Sequence, residues 1–522
     1  MPNRSSDTLF QLVKSLKKSE KRNFKLYAKR NTASEDLKII YLFDALDKME
    51  VYDEAGLLEK NRRLTKQQLS NIKAHLYKQI LSSLRLIRSE QDIVIQMHEQ
   101  LDYAEILYNQ GLYMQSLKVL DKIKEYARQY HQYSYLLEAL FFEQKIEALH
   151  ITRSMQDRAG KLAGEMFAVN AQIQLSGKLS SLSLQLYGWY IQHGVARNEK
   201  DEIAVRVFLE TRLPEPMPSG KGFYENLYFF QCYSWFTFIC QDFLSYYRYT
   251  HRWVEIFDKE PAMIQIETVH YIKGMHNLLG AHFDLLNYPK FLETLDRFEK
   301  FFHSEPIQEN DNNRIQTFVY LHIAKINKHF IDGTFSEGLK LVSYIEEKLK
   351  EYEIYLDRHR ILVFYYKFAS LYFGSGDYEN TIKYLNKIIN WKMDLRTDLQ
   401  CYARLLHLIA HYELGNDNLL EYLIKSVYRF MAKMENLSMV EEEIFRFLRK
   451  SFQLSPKELK PEFLKLIERL KAYQKNRFET RAFVYLDIIS WLESKIRDVP
   501  VQEIIMEKFK ERNKEKRIPE IE

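Results

Sequence analysis

The sequence predicts an all-α protein: an α-solenoid of about eight helical hairpins, preceded by a helical bundle and followed by a helical cap. Three observations lead there. Apolar residues recur at i, i+3, i+4 spacing, the signature of one helix face, through most of the 522 residues. Turn signals interrupt that pattern near 111, 153, 198, 241, 286, 333, 376 and 415, an interval of 39 to 47 residues. Helix breakers are otherwise scarce, with 16 Gly and 11 Pro in a chain that is 46% hydrophobic and 14% aromatic.

The clearest unit is residues 362–389. Leu362, Tyr365, Phe368, Ala369 and Tyr372 form one apolar helix face. Gly374 and Gly376 end that helix, because glycine reaches the positive φ of a short turn. Asp377 is placed to cap the next helix with its carboxylate, and Ile382, Leu385, Ile388 and Ile389 give the returning apolar face.

This unit resembles a tetratricopeptide repeat. The matching residues are Ala369, the small residue where two helices approach, Tyr372, the turn Gly376-Asp377-Tyr378 and Leu385, while Thr381 replaces the small residue expected early in the second helix. Weaker copies contain Ala104, Gly111, Leu112, Tyr113 and Ser116; Gly333, Thr334, Phe335 and Gly338; Leu286, Asn287 and Tyr288; and Gly415, Asn416 and Asp417. Fainter turns lie near Arg153, Asn198 and Gln241, so the resemblance spans residues 91–437. Tetratricopeptide units repeat at about 34 residues and HEAT or armadillo units at about 40–47, so turn chemistry favours the first and period the second. Either way each hairpin buries its apolar face only against its neighbours.

Residues 1–90 read as a basic helical bundle, with 19 Lys and Arg against 11 Asp and Glu in a chain whose net charge is +5. Ser6 or Asp7 caps a helix bearing Leu9, Leu12, Val13 and Leu16. A second carries Phe24, Leu26 and Tyr27, and a third Ile39, Leu42, Phe43 and Leu46. A capping box at Thr65 opens a long helix with Leu69, Ile72, Leu76, Ile80, Leu84 and Ile87 on one side. Lys14, Lys17, Lys18, Lys21, Arg22, Lys25, Lys29 and Arg30 form a basic run with a single acid, Glu20, within it. Such a run reads either as a solvated helix face or as a phosphate-binding face that gives salt-sensitive nucleic-acid binding.

Residues 91–437 hold the repeats, broken at residues 213–222 by a loop with three prolines. Residues 438–522 depart from the period and read as a helical cap with a charged tail. It carries Phe445, Phe447 and Leu448, a helix start at Ser455 and Pro456, and a helix through Phe483, Tyr485, Ile488, Ile489 and Trp491.

The resemblance implies that the first helix of each hairpin lines a concave surface. On that analogy the lining residues are Tyr228, Trp235, Phe238, His276, Phe283, Tyr320, Phe330, Tyr366, Phe373, Tyr402 and Tyr412. An aromatic groove suits a peptide or helix of a partner protein; the competing expectation is that these rings pack on one another. The family also uses a Lys and Asn clamp on a partner's terminal carboxylate. Asn327, also placed on the concave face, is the nearest match, but Ile323 stands where the Lys belongs, which argues against that mode.

No catalytic constellation emerges. His407 and His411 lie four apart on one helix face, yet Leu408 replaces the Glu a metalloprotease needs, so a buried, hydrogen-bonded pair is expected. Gly374 and Gly376 are half a dinucleotide fingerprint but follow a helix rather than a strand. The expectation is a non-enzymatic interaction scaffold that uses no cofactor or metal and takes a protein or peptide partner. The alternative is a nucleic-acid-associated regulator acting through residues 1–90, and exposed solenoid ends allow self-association. Three cysteines without a CxxC pair, no signal-like N-terminal run and no apolar stretch of about 18 residues point to a cytoplasmic protein with no membrane span.

Overall fold

A computed structural model describes residues 7–30, 34–60, 66–88, 92–150, 152, 157–214, 222–353, 355–391, 397–434, 438–451, 453–479 and 487–515. Among these every regular element is a helix, and none is long and apolar enough to cross a membrane. The chain forms two compact units, residues 1–170 and 171–522.

The first unit contains α1 (Thr8–Ser15), α2 (Lys18–Arg30), α3 (Ser34–Lys48), α4 (Glu54–Lys60), α5 (Lys66–Arg88), α6 (Ile93–Asn109), α7 (Tyr113–Gln129), α8 (Tyr133–Leu149) and the start of α9 (Arg158–His193), within which the division falls. Asp7 caps α1, its Oδ1 accepting from the Leu9 and Phe10 amides at 3.0 and 3.1 Å. Leu9, Val13, Leu16, Phe24, Leu42, Phe43 and Leu76 close one core beneath α1, α2, α3 and α5. Leu26, expected on the apolar face of α2, instead points outward and is 52% exposed, because Phe24 and Ala28 occupy the buried face. A second core of Leu101, Ala104, Leu117, Leu120, Ile123, Ala139 and Ile146 joins α6, α7 and α8. Beside it, fully buried Glu143 binds Lys124 and also accepts from Arg158 at 2.6 Å.

The second unit continues with α10 (Glu199–Glu210), α11 (Phe223–Ile239), α12 (Phe243–Lys259), α13 (Met263–Ile266), α14 (Thr268–Asp284), α15 (Tyr288–Phe302), α16 (Glu305–Glu309), α17 (Asp311–Asp332), α18 (Phe335–Gly338) and α19 (Val342–Glu351). Then come α20 (Arg358–Ser375), α21 (Tyr378–Ile389), α22 (Thr397–Glu413), α23 (Asp417–Lys433), α24 (Met439–Ser451), α25 (Pro456–Tyr473), α26 (Ile488–Arg497) and α27 (Val501–Glu515). One continuous core runs through it from Phe223 to Ile505. Trp491, fully buried, donates from Nε1 to Glu413 at 2.6 Å.

Several helix pairs among the described residues are joined by one recurring turn. Gly111, Gln241, Leu286, Gly333, Gly376 and Gly415 all adopt positive φ. In each case the next amide reaches back five residues to a helix carbonyl: Leu112 to Leu107, Asp242 to Thr237, Asn287 to His282, Thr334 to His329, Asp377 to Tyr372 and Asn416 to His411, at 2.9–3.1 Å. This closure satisfies carbonyls that a helix end leaves open. The same closure at His131, with Gln132 bonded to Ala127 at 2.7 Å, adds a turn that no sequence signal marked. Asn198 is not a turn centre but the cap of α10, accepting from the Asp201 amide at 3.0 Å; Gly194 carries the positive φ there. Asp377 caps α21 through the Asn380 amide at 3.0 Å, as expected. Small residues let paired helices touch: Ser116 Oγ donates to the Ala104 carbonyl at 2.8 Å, and Thr381 Oγ1 to that of Ala369 at 3.4 Å. Ser455 and Glu458 form the capping box of α25. The expectations at Ser6, Thr65, Arg153, Phe483, Tyr485 and the prolines beyond Pro214 lie outside the described residues.

Candidate functional site

The second unit contains a cavity of 510 Å³, a size that suits a ligand or a few residues of a peptide. Its wall is assembled from α9, α11, α12, α14, α17 and α20, with Leu399 of α22 at one edge. Helical spacing explains why these helices serve core and cavity at once. On α14, Tyr271, Ile272 and Met275 enter the core, while Lys273, His276 and Asn277 line the cavity. On α20, Leu362, Phe364 and Phe368 are buried, while Arg360, Val363 and Lys367 face the opening.

Of the residues expected on a concave face, Trp235, Phe238, His276, Phe283, Tyr320, Asn327, Phe330 and Tyr366 come together on this wall. The other four lie elsewhere. Tyr228 packs on Tyr224 and against the edge of His270. Phe373 and Tyr402 are buried in the core, and Tyr412 packs between Phe447 and Trp491. Burial pushes the Tyr412 hydroxyl up to about 12.

Aromatic rings and cations alternate across the wall. The Lys273 ammonium lies 5.8 Å from the Trp235 ring and 5.3 Å from that of Tyr320, and the Arg360 guanidinium covers Tyr320 at 5.6 Å. The four residues come from α11, α14, α17 and α20, one from each. Such contacts are worth about 0.5–2 kcal/mol each, more as water is excluded. Tyr190 stacks on Trp235 at 5.7 Å, and His276 stacks on Tyr320 at 4.0 Å. Burial pushes the His276 imidazole well below its usual range, and Lys273, Lys367 and Arg360 push it the same way. His276 is therefore neutral at neutral pH, in a region of positive potential.

Lys367 lies deeper. Its Nζ donates to Asn327 Oδ1 at 2.5 Å and sits 5.3 Å from the Phe330 ring. Part of its side chain still opens on the cavity, but protein surrounds it, and burial lowers the amine from 10.5 to about 8, with Asp284 offsetting only part. The Lys and Asn pair that local spacing denied at Ile323 is thus made in space, with the lysine supplied by α20. The cations and Tyr187, Tyr190 and Asp284 were not singled out by sequence reasoning, because a lysine or arginine within a helix ordinarily reads as solvent-facing. Ser234 Oγ and His359 Nδ1, both on the wall, have no protein hydrogen-bond partner among the described residues.

Lys367 has a testable consequence for the free protein. Below about pH 8 the folded chain bears the cost of a charged, enclosed amine. Between about 8 and 10.5 the native state releases a proton that the unfolded chain still holds, so stability rises with pH across that window. Lys367→Met removes the cost and the rise together. At pH 7 the variant is expected to be about 1–3 kcal/mol more stable than the parent, an advantage that shrinks by pH 10. Paired denaturant titrations at the two pH values check this; an advantage that does not change with pH refutes it.

On the basic run of the first unit, Lys21 pairs with Asp47 and Lys25 with Asp44, each at 2.6 Å, and Lys14 donates to the Asp47 carbonyl at 2.6 Å. Lys17 is half-buried, while Lys18, Arg22, Lys29 and Arg30 remain exposed. The aspartates of α3 thus take up part of the run expected to meet phosphates.

His407 and His411 are both buried. Their Nε2 atoms lie 3.3 Å apart, and Asn416 Nδ2 is 3.0 Å from His411 Nδ1. Burial lowers the His407 imidazole to about 4. Among the described residues no group of three or more His, Cys, Asp or Glu comes together as a metal site, and Cys232, Cys240 and Cys401 are buried and form no disulfide.

No protein-family model matches this sequence, and no curated protein matches it.

Proposed function

We propose that this chain is a non-enzymatic interaction scaffold, an α-solenoid of tetratricopeptide-like helix pairs, that holds a peptide segment of a partner protein in the cavity of its second unit. In this reading residues 1–90 form a basic bundle and residues 438–522 close the array with a polar-faced end. Cysteines that form no disulfide suit a reducing, cytoplasmic setting.

One observation carries the reading: eight of the residues expected on a concave face, from four successive first helices, line one cavity. Rings on separate rigid helices offer large contact area at small entropic cost, which is what a peptide groove needs. The wall also carries guanidinium, ammonium and amide groups able to pair with a peptide's polar atoms.

The test is selection of binders from a displayed library of random peptides on the full chain. Synthetic copies are then titrated against the parent and a Trp235→Ala, Phe238→Ala variant. Both side chains are half-buried, so the fold is expected to survive, as unchanged circular dichroism will report. Loss of the two rings should weaken binding at least about 100-fold. Equal affinity in parent and variant, or a selection that yields no binder, overturns the proposal.

A further inference from the structure

The cavity's charges do not balance from within. Lys273 makes two cation–π contacts, and Lys367 makes one together with its bond to Asn327. Among the described residues neither ammonium has a carboxylate within the 4.0 Å of an ion pair. The acids on the same wall leave them so. Asp357 is engaged by Arg360, taking its amide at 3.0 Å and its Nε at 3.1 Å. Asp284 acts on Lys367 from a distance that only partly compensates burial. Lys367, enclosed in a ring-lined cavity, is costly for the empty protein, Lys273 on the same wall lacks a carboxylate partner, and an anionic occupant serves both.

Their contact residues on α17 are well separated. Lys273 lies over Tyr320 and Lys367 reaches Asn327, seven residues further along α17. At the helical rise that is about 10 Å. A single carboxylate, such as a chain terminus, meets one ammonium and leaves the other alone. Two acidic side chains in alternate positions of an extended peptide project to one side about 7 Å apart, and the length of Asp, Glu and Lys side chains spans the remainder. We infer that the segment held in the cavity is acidic and carries two side-chain carboxylates, one for Lys273 and one for Lys367, an inference that rests on the peptide-binding reading above.

The experiment uses the full chain and peptides selected on it at moderate salt. Each is synthesised with a free and an amidated C-terminus, and with its Asp and Glu replaced by Asn and Gln. Affinities are measured for the parent, for Trp235→Ala and for a Lys273→Met, Lys367→Met variant. The expected peptides carry two acids two positions apart and bind equally well when amidated. Neutralising both acids should weaken binding about a hundredfold, the lysine variant should do the same, and combining the two should add little. If the lysine variant folds poorly, Lys273→Glu paired with a peptide whose matching acid is Lys should restore affinity instead. Peptides that depend on Trp235 but are indifferent to their acids and to both lysines overturn the acidic assignment while leaving the peptide reading intact. Peptides that need a free terminus overturn it likewise. Failure to select any peptide sensitive to Trp235 removes the peptide reading and this inference together.

Discussion

Glu143→Ala is expected to destabilise the first unit by about 3–5 kcal/mol. The carboxylate is fully buried and Lys124 is 4% exposed. Glu143 binds that ammonium and also receives the Arg158 guanidinium, Nη2 at 2.6 Å and Nε at 2.7 Å. Arg158 continues to Glu165 at 3.2 Å, and Glu165 to Arg128 at 2.7 Å, so the pair anchors a chain of charges linking α7, α8 and α9. Without Glu143 the buried lysine keeps, among the described residues, only Asp121, 2.9 Å away at a half-open position. The cost is that of stranding a charge, not the net worth of the pair. The double variant Lys124→Met, Glu143→Met strands no lysine and leaves Arg158 on Glu165, so it is expected to recover most of that loss. Hydrogen exchange across α7 and α8 under increasing denaturant, read for both variants, separates the two cases. Parental protection in Glu143→Ala would show that the charges do not depend on one another.

Gly333→Ala is expected to cost about 2–4 kcal/mol, concentrated at the end of the chain. Gly333 ends α17 at φ +74, where an L side chain is strained by itself. A Cβ there also falls 2.6 Å from the Met506 amide nitrogen and 2.9 Å from the Gln502 carbonyl oxygen. Both are backbone atoms of α27, so no rotamer change relieves the overlap and the helix itself must shift. Moving it disturbs the bond from Ser336 Oγ to Gln502 at 2.9 Å and the contact of Phe509 with Tyr288 at 4.7 Å. The check is exchange over Val501–Glu515 and accelerated proteolysis there. Gly376→Ala serves as the control: it shares the positive φ, but nothing lies within 4 Å of its Cβ, so only the backbone term should appear.

What the sequence revealed and what it concealed follow from which physics is local. The turns at Gly111, Gly333, Gly376 and Gly415 were readable because a left-handed closure strongly prefers glycine. The turn at His131 was not, since histidine occupies that conformation without any marker in its neighbours. Asn198 misled because asparagine serves helix starts as readily as helix ends, and only the neighbouring Gly194 resolves which. The aromatic half of the cavity was reached through the family resemblance, which marks one helix of each pair and needs only residues within single helices. Its cationic half was not, because the pairings of Lys273 with Tyr320 and of Lys367 with Asn327 join residues 40 or more positions apart. Tyr412 and Phe373 carry the same local pattern as the lining rings, yet neighbouring helices cover them.

The ladder of Trp235, Lys273, Tyr320 and Arg360 draws one member from each of four helices, and each of those helices keeps its structural duties on its other sides. Descendants of this chain therefore have an unusually free hand. A codon change at Lys273 alters the lining of the cavity at one point, while Ile272 and Met275 go on holding α14 in place. The lining of the cavity can thus drift one contact at a time, with little penalty to foldability at any intermediate.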